Sequence, residues 1–360
     1  MRTYPLLAAG ALALLSSNAS AYQIIQSHFH VEVAPNKYVD QLVLRCEDGK
    51  EITVPWQSKL AESCGEDLMG NVTRPRPDAV NPGRRALLHT VGGAAVGAPF
   101  ALIAFGAIVE RTNFQVTEVD VPVPNLDPDL EGLRLVQLSD IHLSPFLSEQ
   151  EFARAVDAAN ELRPHLMFVT GDLISVHGDP IDACLRQIAR LRSDAGVLGC
   201  LGNHEIYAGV EEYATQRGAR LGISFLRGQA RQLRFGKALV NVAGLDYQRM
   251  SWSDRYLQSA GRLLAQGALN ILLQHNPDVF PTAAGQGWDL TLAGHTHGGQ
   301  VNFEILHQNL NVARFFTPYV RGLYRSGRSA IYVTRGIGTI AMPTRIGAPP
   351  EISLIRLRKA

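Results

Sequence analysis

The sequence predicts a layered α/β sheet sandwich with helices on its outside, preceded by a small β-rich unit and a hydrophobic segment. Three observations carry this. From Glu131 onward apolar strands alternate with amphipathic helices and then give way to strand-rich sequence. Nearly every apolar strand runs out into a short cluster of Asp, Asn, His and Gly. Residues 86–109 contain no Asp, Glu, Lys or Arg.

The elements follow in order. Residues 1–21 combine an early Arg2, an apolar run and Ala19-Ser20-Ala21, the layout of a signal peptide or an uncleaved N-terminal anchor. Residues 22–80 form the β-rich region, where LVLRCEDGKEITVPW alternates apolar and polar residues around Asp48-Gly49 and reads as a hairpin. Cys46 and Cys64 lie there and would form a disulfide if the region is exported. Residues 81–111 are the arginine-flanked hydrophobic segment, long enough to cross a bilayer, and Arg84-Arg85 just before it resembles a twin-arginine export signal. Arg74, Arg76, Arg84 and Arg85 precede the run and Arg111 follows it, which places the C-terminal domain outside the cytoplasm. A cleaved signal peptide followed by a true second span would return that domain to the cytoplasm.

Residues 112–360 carry the main domain. LRLVQLSD reads as a strand, and SEQEFARAVDAANELRP as a helix opened by Ser148 and Glu151 in capping-box spacing. LMFVTGD is a strand, IDACLRQIARLRS a helix and GVLGCLGNHE a strand. RQLRFGKALVNVAGLDY reads as a hairpin, LNILLQHNP and WDLTLAGHTH as strand-to-loop units, and IYVTRGIG and EISLIRLR as closing strands. Cys184 and Cys200 fall within this pattern as core residues. With a net charge of +1 and no arginine-rich tract or zinc-finger spacing, the composition gives no sign of dedicated nucleic-acid binding.

The chemistry gathers at the strand ends. Asp140 and His142 follow the first, Asp172 the second, Asn203 and His204 the third, His275 a later one, and His295 and His297 another. Gly171, Gly202 and Gly294 permit tight turns and close backbone approach. Singly, each reads as turn chemistry or a structural histidine. Together, two carboxylates, one amide and four imidazoles form an O/N donor set suited to manganese, iron or zinc. Seven donors are too many for one ion with an open position and fit two ions sharing a bridging carboxylate.

SDIH, GD, GNHE, the histidine of LLQHNP and GHTH together resemble the calcineurin-like metallophosphoesterases over residues 112–360, most closely the bacterial membrane-associated branch. The resemblance implies a four-layer α/β/β/α metallophosphoesterase sandwich. It implies that Asp140, His142 and His297 hold one ion, that Asn203, His275 and His295 hold the other, and that Asp172 bridges them. His204 would act as general acid, Glu205 would orient it, and a bridging hydroxide would attack phosphorus in line. Of the possible Mn2+, Fe2+/Fe3+ and Zn2+ pairs, Mn2+ is favoured. Members of the branch include pyrophosphatases of UDP-2,3-diacylglucosamine and twin-arginine-exported phosphodiesterases.

The reaction implied is hydrolysis of a phosphodiester or pyrophosphate bond, in a phosphorylated small molecule or lipid-linked substrate at the bacterial inner membrane, with the domain towards the periplasm. The alternatives are a phosphomonoesterase of the same mechanism and a non-catalytic scaffold, which would show gaps in the ligand set. Arg321, Arg335 and Arg345 are candidates for a second phosphate contact, with Arg345 the one singled out for substrate binding.

Overall fold

The computed structural model describes residues 22–34, 37–46, 49–55, 82–248, 257–305 and 308–360. The signal segment and residues 56–81, with Cys64, lie outside the described residues. Backbone packing divides the chain into two units, Met1–Thr90 and Val91–Ala360.

In the first unit, β1 (Tyr22–Ala34), β2 (Lys37–Cys46) and β3 (Glu51–Pro55) form an antiparallel sheet in that order. β2 and β3 pair antiparallel with Arg45 opposite Glu51, and Asp48 of the expected turn lies outside the described residues. Helix α1 (Pro82–Ile108) is 27 residues long. At ~1.5 Å per residue it spans ~40 Å, enough to cross a hydrocarbon core of ~30 Å. Its apolar side chains, among them Val96, Phe100, Ile103 and Ile108, are exposed.

The second unit holds two six-stranded sheets. The first comprises β4 (Gln115–Val123), β5 (Arg134–Leu138), β6 (Leu166–Thr170), β7 (Val197–Cys200) and β8 (Ile223–Phe225), with the C-terminal strand inserted between β4 and β5. The second comprises β9 (Gln229–Phe235), β10 (Ala238–Gly244), β11 (Leu269–Leu273), β12 (Leu290–Ala293), and a later antiparallel pair. A separate two-stranded ribbon, β13 (Asn302–Ile305) and β14 (Gln308–Asn311), precedes that pair, β15 (Gly322–Ser326) and β16 (Ser329–Val333). The chain closes with β17 (Glu351–Lys359), parallel to β4 and antiparallel to β5. β4 was not anticipated: QVTEVDVPV is half exposed and acidic, and Arg356 of β17 bonds its Glu118 and Asp120.

Burial explains the layering. The strands β5–β7 and β10–β12 read as near-continuous apolar runs because both faces are covered. Leu135, Phe168 and Ile355 of one sheet meet Val240, Ile271 and Leu292 of the other in the central core. Outside the first sheet lie α2 (Glu149–Glu161) and α3 (Ile181–Ile188), which bury Phe152, Val156, Leu185 and Ile188 against Val136 and Met167. Two further helices follow β7, α4 (Asn203–Ala208) and α5 (Glu211–Arg220). Outside the second sheet, α6 (Phe280–Gln286) packs Phe280 against Ile331 and Val333. The order is α/β/β/α. The capping box forms as expected: the Ser148 amide donates to Glu151 Oε2 at 2.8 Å and the Glu151 amide to Ser148 Oγ at 3.2 Å.

Candidate metal centre

The carboxyl ends of β5, β6 and β7 in one sheet and of β11 and β12 in the other converge on one buried cluster. Cross-loop backbone bonds hold it: the Asp140 amide donates to Gly171 O, the His142 amide to Asp172 O, and the Gly294 amide to His275 O. Between strands, Gln137 Nε2 ties Thr170 Oγ1 of its own sheet to Ala293 O of the other.

The side chains fall into three linked groups. Potential ligand atoms of Asp140, His142 and His297 lie within 4.8 Å of one another, as do those of Asp172, His275 and His295, and a third group, His142, Asp172 and His204, shares His142 with the first and Asp172 with the second. Asp172 reaches towards the first two, with Oδ2 3.0 Å from His275 Nε2 and 3.5 Å from His142 Nε2. Asn203 is buried beside them at the start of α4. His142 Nε2, Asn203 Oδ1 and His297 Nδ1 are buried without a hydrogen-bond partner. Orphaned buried donors and acceptors cost about 1–3 kcal/mol each, so side chains left this way are accounted for by ions they would coordinate. The O/N donor set fits divalent metal on that test.

Electrostatics agree with the geometry. Burial pushes Asp140 up to about 6, and it lowers His142 to about 3 and His295 to about 4. Burial also lowers His297 well below the usual imidazole range. His275 resists the same burial, because the carboxylates of Asp172 and Asp140 hold it up to about 10. Asp172 is driven down despite its burial, chiefly by His275.

The backbone here is unusual. Asp140, His142, Asp172, His295 and His297 all have positive φ, between 47° and 74°. Such conformations cost of order 1–3 kcal/mol in ordinary residues and cluster at functional sites, while Asp and His tolerate them better than most. The sequence reading placed the turn freedom in the glycines instead. Gly171 does have φ of 90°. Gly202 is needed for approach, since a Cβ there would stand 2.1 Å from Asp172 Oδ1.

Two expectations need correcting. Glu205 does not orient His204. Its buried carboxylate accepts from the amides of Asp172, Leu173 and Gly202 at 2.7–3.0 Å, clamping the β6 loop to the β7 loop. His204 is oriented by Ser175, whose carbonyl lies 2.5 Å from Nδ1, and by edge contact with His142. Arg345 is not placed to bind a substrate. It is fully buried, and its guanidinium donates to the carbonyls of Arg335, Gly336, Gly338 and Ala348. Arg335 bonds Glu351 and Thr117, and Arg321 bonds Gly347 O.

The sequence reading missed Tyr247, whose ring centroid lies 5.3 Å from that of His295, because it follows a hairpin strand without a recognisable motif. Cys184 and Cys200 are free and buried, as core residues should be.

A family model described as calcineurin-like phosphoesterase matches residues 133–299, the stretch from β5 through the last histidine of the cluster. The chain carries a calcineurin-like metallophosphoesterase domain. It is 31% identical over 274 residues to a "transmembrane protein with metallophosphoesterase domain" of Danio rerio, covering 72% of this chain and 61% of that protein. An uncharacterized metallophosphoesterase of Campylobacter jejuni is 30% identical over 250 residues, 68% of this chain and 63% of the relative. Another from Bacillus subtilis is 28% identical over 284 residues, 76% of this chain and 97% of the relative. The chain thus spans somewhat less than two thirds of the first two. The matched stretch contains every residue of the polar cluster.

Proposed function

We propose that this protein is a membrane-associated phosphoester hydrolase that uses two divalent metal ions to cleave a phosphodiester or pyrophosphate bond. The observation that carries the reading is the run of three ligand groups linked through His142 and Asp172, with buried imidazole and amide atoms left unpartnered among them. In this reading Asp140, His142 and His297 hold one ion, Asn203, His275 and His295 the other, and Asp172 both. Manganese is the pair we favour, on the hard O/N character of the donors. Such ions would polarise a phosphoryl oxygen and acidify water near neutral pH.

The chain's own residues have separate tasks. His204 projects beside both groups, its Nδ1 held against the Ser175 carbonyl, so Nε2 is the atom left to deliver a proton to the departing oxygen. Glu205 fixes the β6 and β7 loops, and so fixes the positions of Asp172 and Asn203. The apolar helix α1 favours an ester at or in a membrane, a lipid-linked one included. The arginine excess on the N-terminal side of the apolar run favours the periplasmic face of a bacterial inner membrane.

The test is hydrolysis of bis-p-nitrophenyl phosphate by the full chain with manganese, with metal content measured alongside. Turnover that disappears on chelation and returns with two ions per chain supports the reading. Well-folded protein with two ions and no turnover on any diester or pyrophosphate would favour the phosphomonoesterase or scaffold alternatives.

A further inference from the structure

We propose that Val312, Phe315, Phe316 and Met342 insert into the headgroup boundary of an anionic phospholipid bilayer, holding the rim of the metal centre against the membrane. All four are exposed: Phe315 by 87%, Phe316 by 67%, Val312 by 64% and Met342 by 51%. Large apolar side chains clustered in water mark an interaction surface rather than a chance of composition.

The two stretches that carry them border one turn, His297–Gln300, directly after the last histidine of the centre. Asn311 Nδ2 donates to Gly298 O at 2.8 Å, which sets the start of Val312–Phe316 on that turn. Gln300 Nε2 donates to Ile340 O at 3.0 Å and to Met342 O at 3.2 Å, which sets the second stretch on it. Any surface that covers these side chains therefore lies close to the turn that carries His297.

What covers them is indicated by α1. Its last turn is seated on the loop that carries Met342: the Arg345 amide donates to Gly106 O at 3.2 Å, and a Cβ on Gly106 would stand 2.5 Å from Arg345 O. Arg111, just beyond the helix, bonds Ala107 O, Phe146 O and Glu151. The end of a helix long and apolar enough to span a bilayer is thus fixed to the domain three residues from Met342. The exposed apolar surface of the rim begins where that helix ends.

Charge selects the lipid. Between Glu304 and Glu351 the sequence has no Asp or Glu and has six arginines, 314, 321, 325, 328, 335 and 345. Arg335 and Arg345 are engaged internally and Arg328 bonds Asp289, but Arg314 is exposed within the apolar cluster and Arg325 is exposed on β15. A cation flanked by aromatic side chains, in a stretch of sequence without acids, suits an anionic lipid surface; the carboxylate joined to this stretch, Asp278, is occupied by the Thr317 hydroxyl.

The experiment uses the full chain in phosphatidylcholine–phosphatidylglycerol proteoliposomes containing lipid brominated high on the acyl chain, comparing wild type with Phe316→Trp and, separately, Met342→Trp. Both sites are exposed enough to accept the indole. The wild type's three tryptophans, Trp56, Trp252 and Trp288, supply the background. Emission added by each new indole is expected to be blue-shifted, quenched by the bromine, and insensitive to iodide on either side of the vesicle. Replacing phosphatidylglycerol with phosphatidylcholine should weaken the bromine quenching. Quenching by iodide alone would place the rim in water, and protection from both quenchers would place it against protein, a second copy included. Either result overturns the proposal, and equal quenching in neutral vesicles overturns the anionic preference. No hydrolysis is measured, so failure here leaves the phosphoesterase reading as it stood.

Discussion

At the metal centre Asp140, His142 and His275 are wholly shielded from water, whereas Phe315, on the rim of the same site, stands 87% exposed. Both regions invert the ordinary partition of polar and apolar groups. At the centre, carboxylates and imidazoles are buried together, with His275 Nε2 3.0 Å from Asp172 Oδ2 and other ligand-type atoms left without a hydrogen-bond partner; at the rim, large aromatic rings stand in water with nothing apolar among the described residues over them. The difference lies in who must respond. A change at the centre should remove chemistry, and a change at the rim should remove attachment while leaving the fold alone.

Breaking the centre at its middle should have the largest effect. Asp172 faces both ligand groups, so Asp172→Asn should bring diester turnover to background and lower the metal content below two ions per chain. Retention of two ions with wild-type turnover would rule out the bridging assignment. His204→Asn comes next. It should lower kcat by ~10²–10⁴-fold on esters with alkoxide leaving groups. With p-nitrophenolate, which departs without a proton, the loss should be much smaller, and metal content should not change. An equal loss on both leaving groups would argue that His204 serves something other than proton delivery.

Glu205 tests whether the centre depends on its scaffold. Its carboxylate accepts three backbone amides from two loops. Glu205→Gln replaces one acceptor oxygen by a donor, and metal affinity should fall by ~10–100-fold, the usual cost of losing a group that positions ligands. Titration of manganese into the chelator-treated variant would read this directly, and an unchanged affinity would leave the clamp without a role in metal binding.

That clamp also marks where the sequence stops being legible. The positions of the cluster residues could be read because each ends an apolar run, and apolar runs buried on both faces become strands whose carboxyl ends gather ligands. What Glu205 and Arg345 touch could not be read, because their partners are backbone amides and carbonyls that look alike in every sequence. Arg345 appeared as a spare cation; only packing reveals that its guanidinium serves as a buried knot for the loop around Gly336–Ala348. β4 was missed for a related reason. Its alternating acids pair with Arg356 and Arg358 at the far end of the chain, and no local pattern records a pairing across that distance.

A gentler probe of the centre is pH. Without metal, His275 is held up to about 10 by Asp172 and Asp140, so at pH 7.5 it carries a proton that a coordinated ion must expel. His142 and His295, at about 3 and about 4, are already neutral and release nothing. Net proton release should therefore be close to one per chain from this group, and apparent affinity should rise about tenfold per pH unit towards pH 10. Below about pH 6, Asp140 also takes up a proton and the fall should steepen. Calorimetric titration in two buffers of different ionisation enthalpy measures the released protons. Zero release at pH 7.5 would mean that the Asp172–His275 pair is not what the ion displaces.

The smallest effect should be at the rim. Phe315→Ser combined with Phe316→Ser exposes nothing new, since both rings already face water, so thermal stability should stay within ~0.5 kcal/mol of wild type. The same chemical change at Phe168, buried between the two sheets, should cost ~3–5 kcal/mol. The contrast separates two reasons for an aromatic residue to be where it is. A ring retained for the fold must weaken the fold when removed. A large loss of stability from the rim pair would show that Phe315 and Phe316 pack against the chain itself, and the contrast between centre and rim would then collapse into a single core.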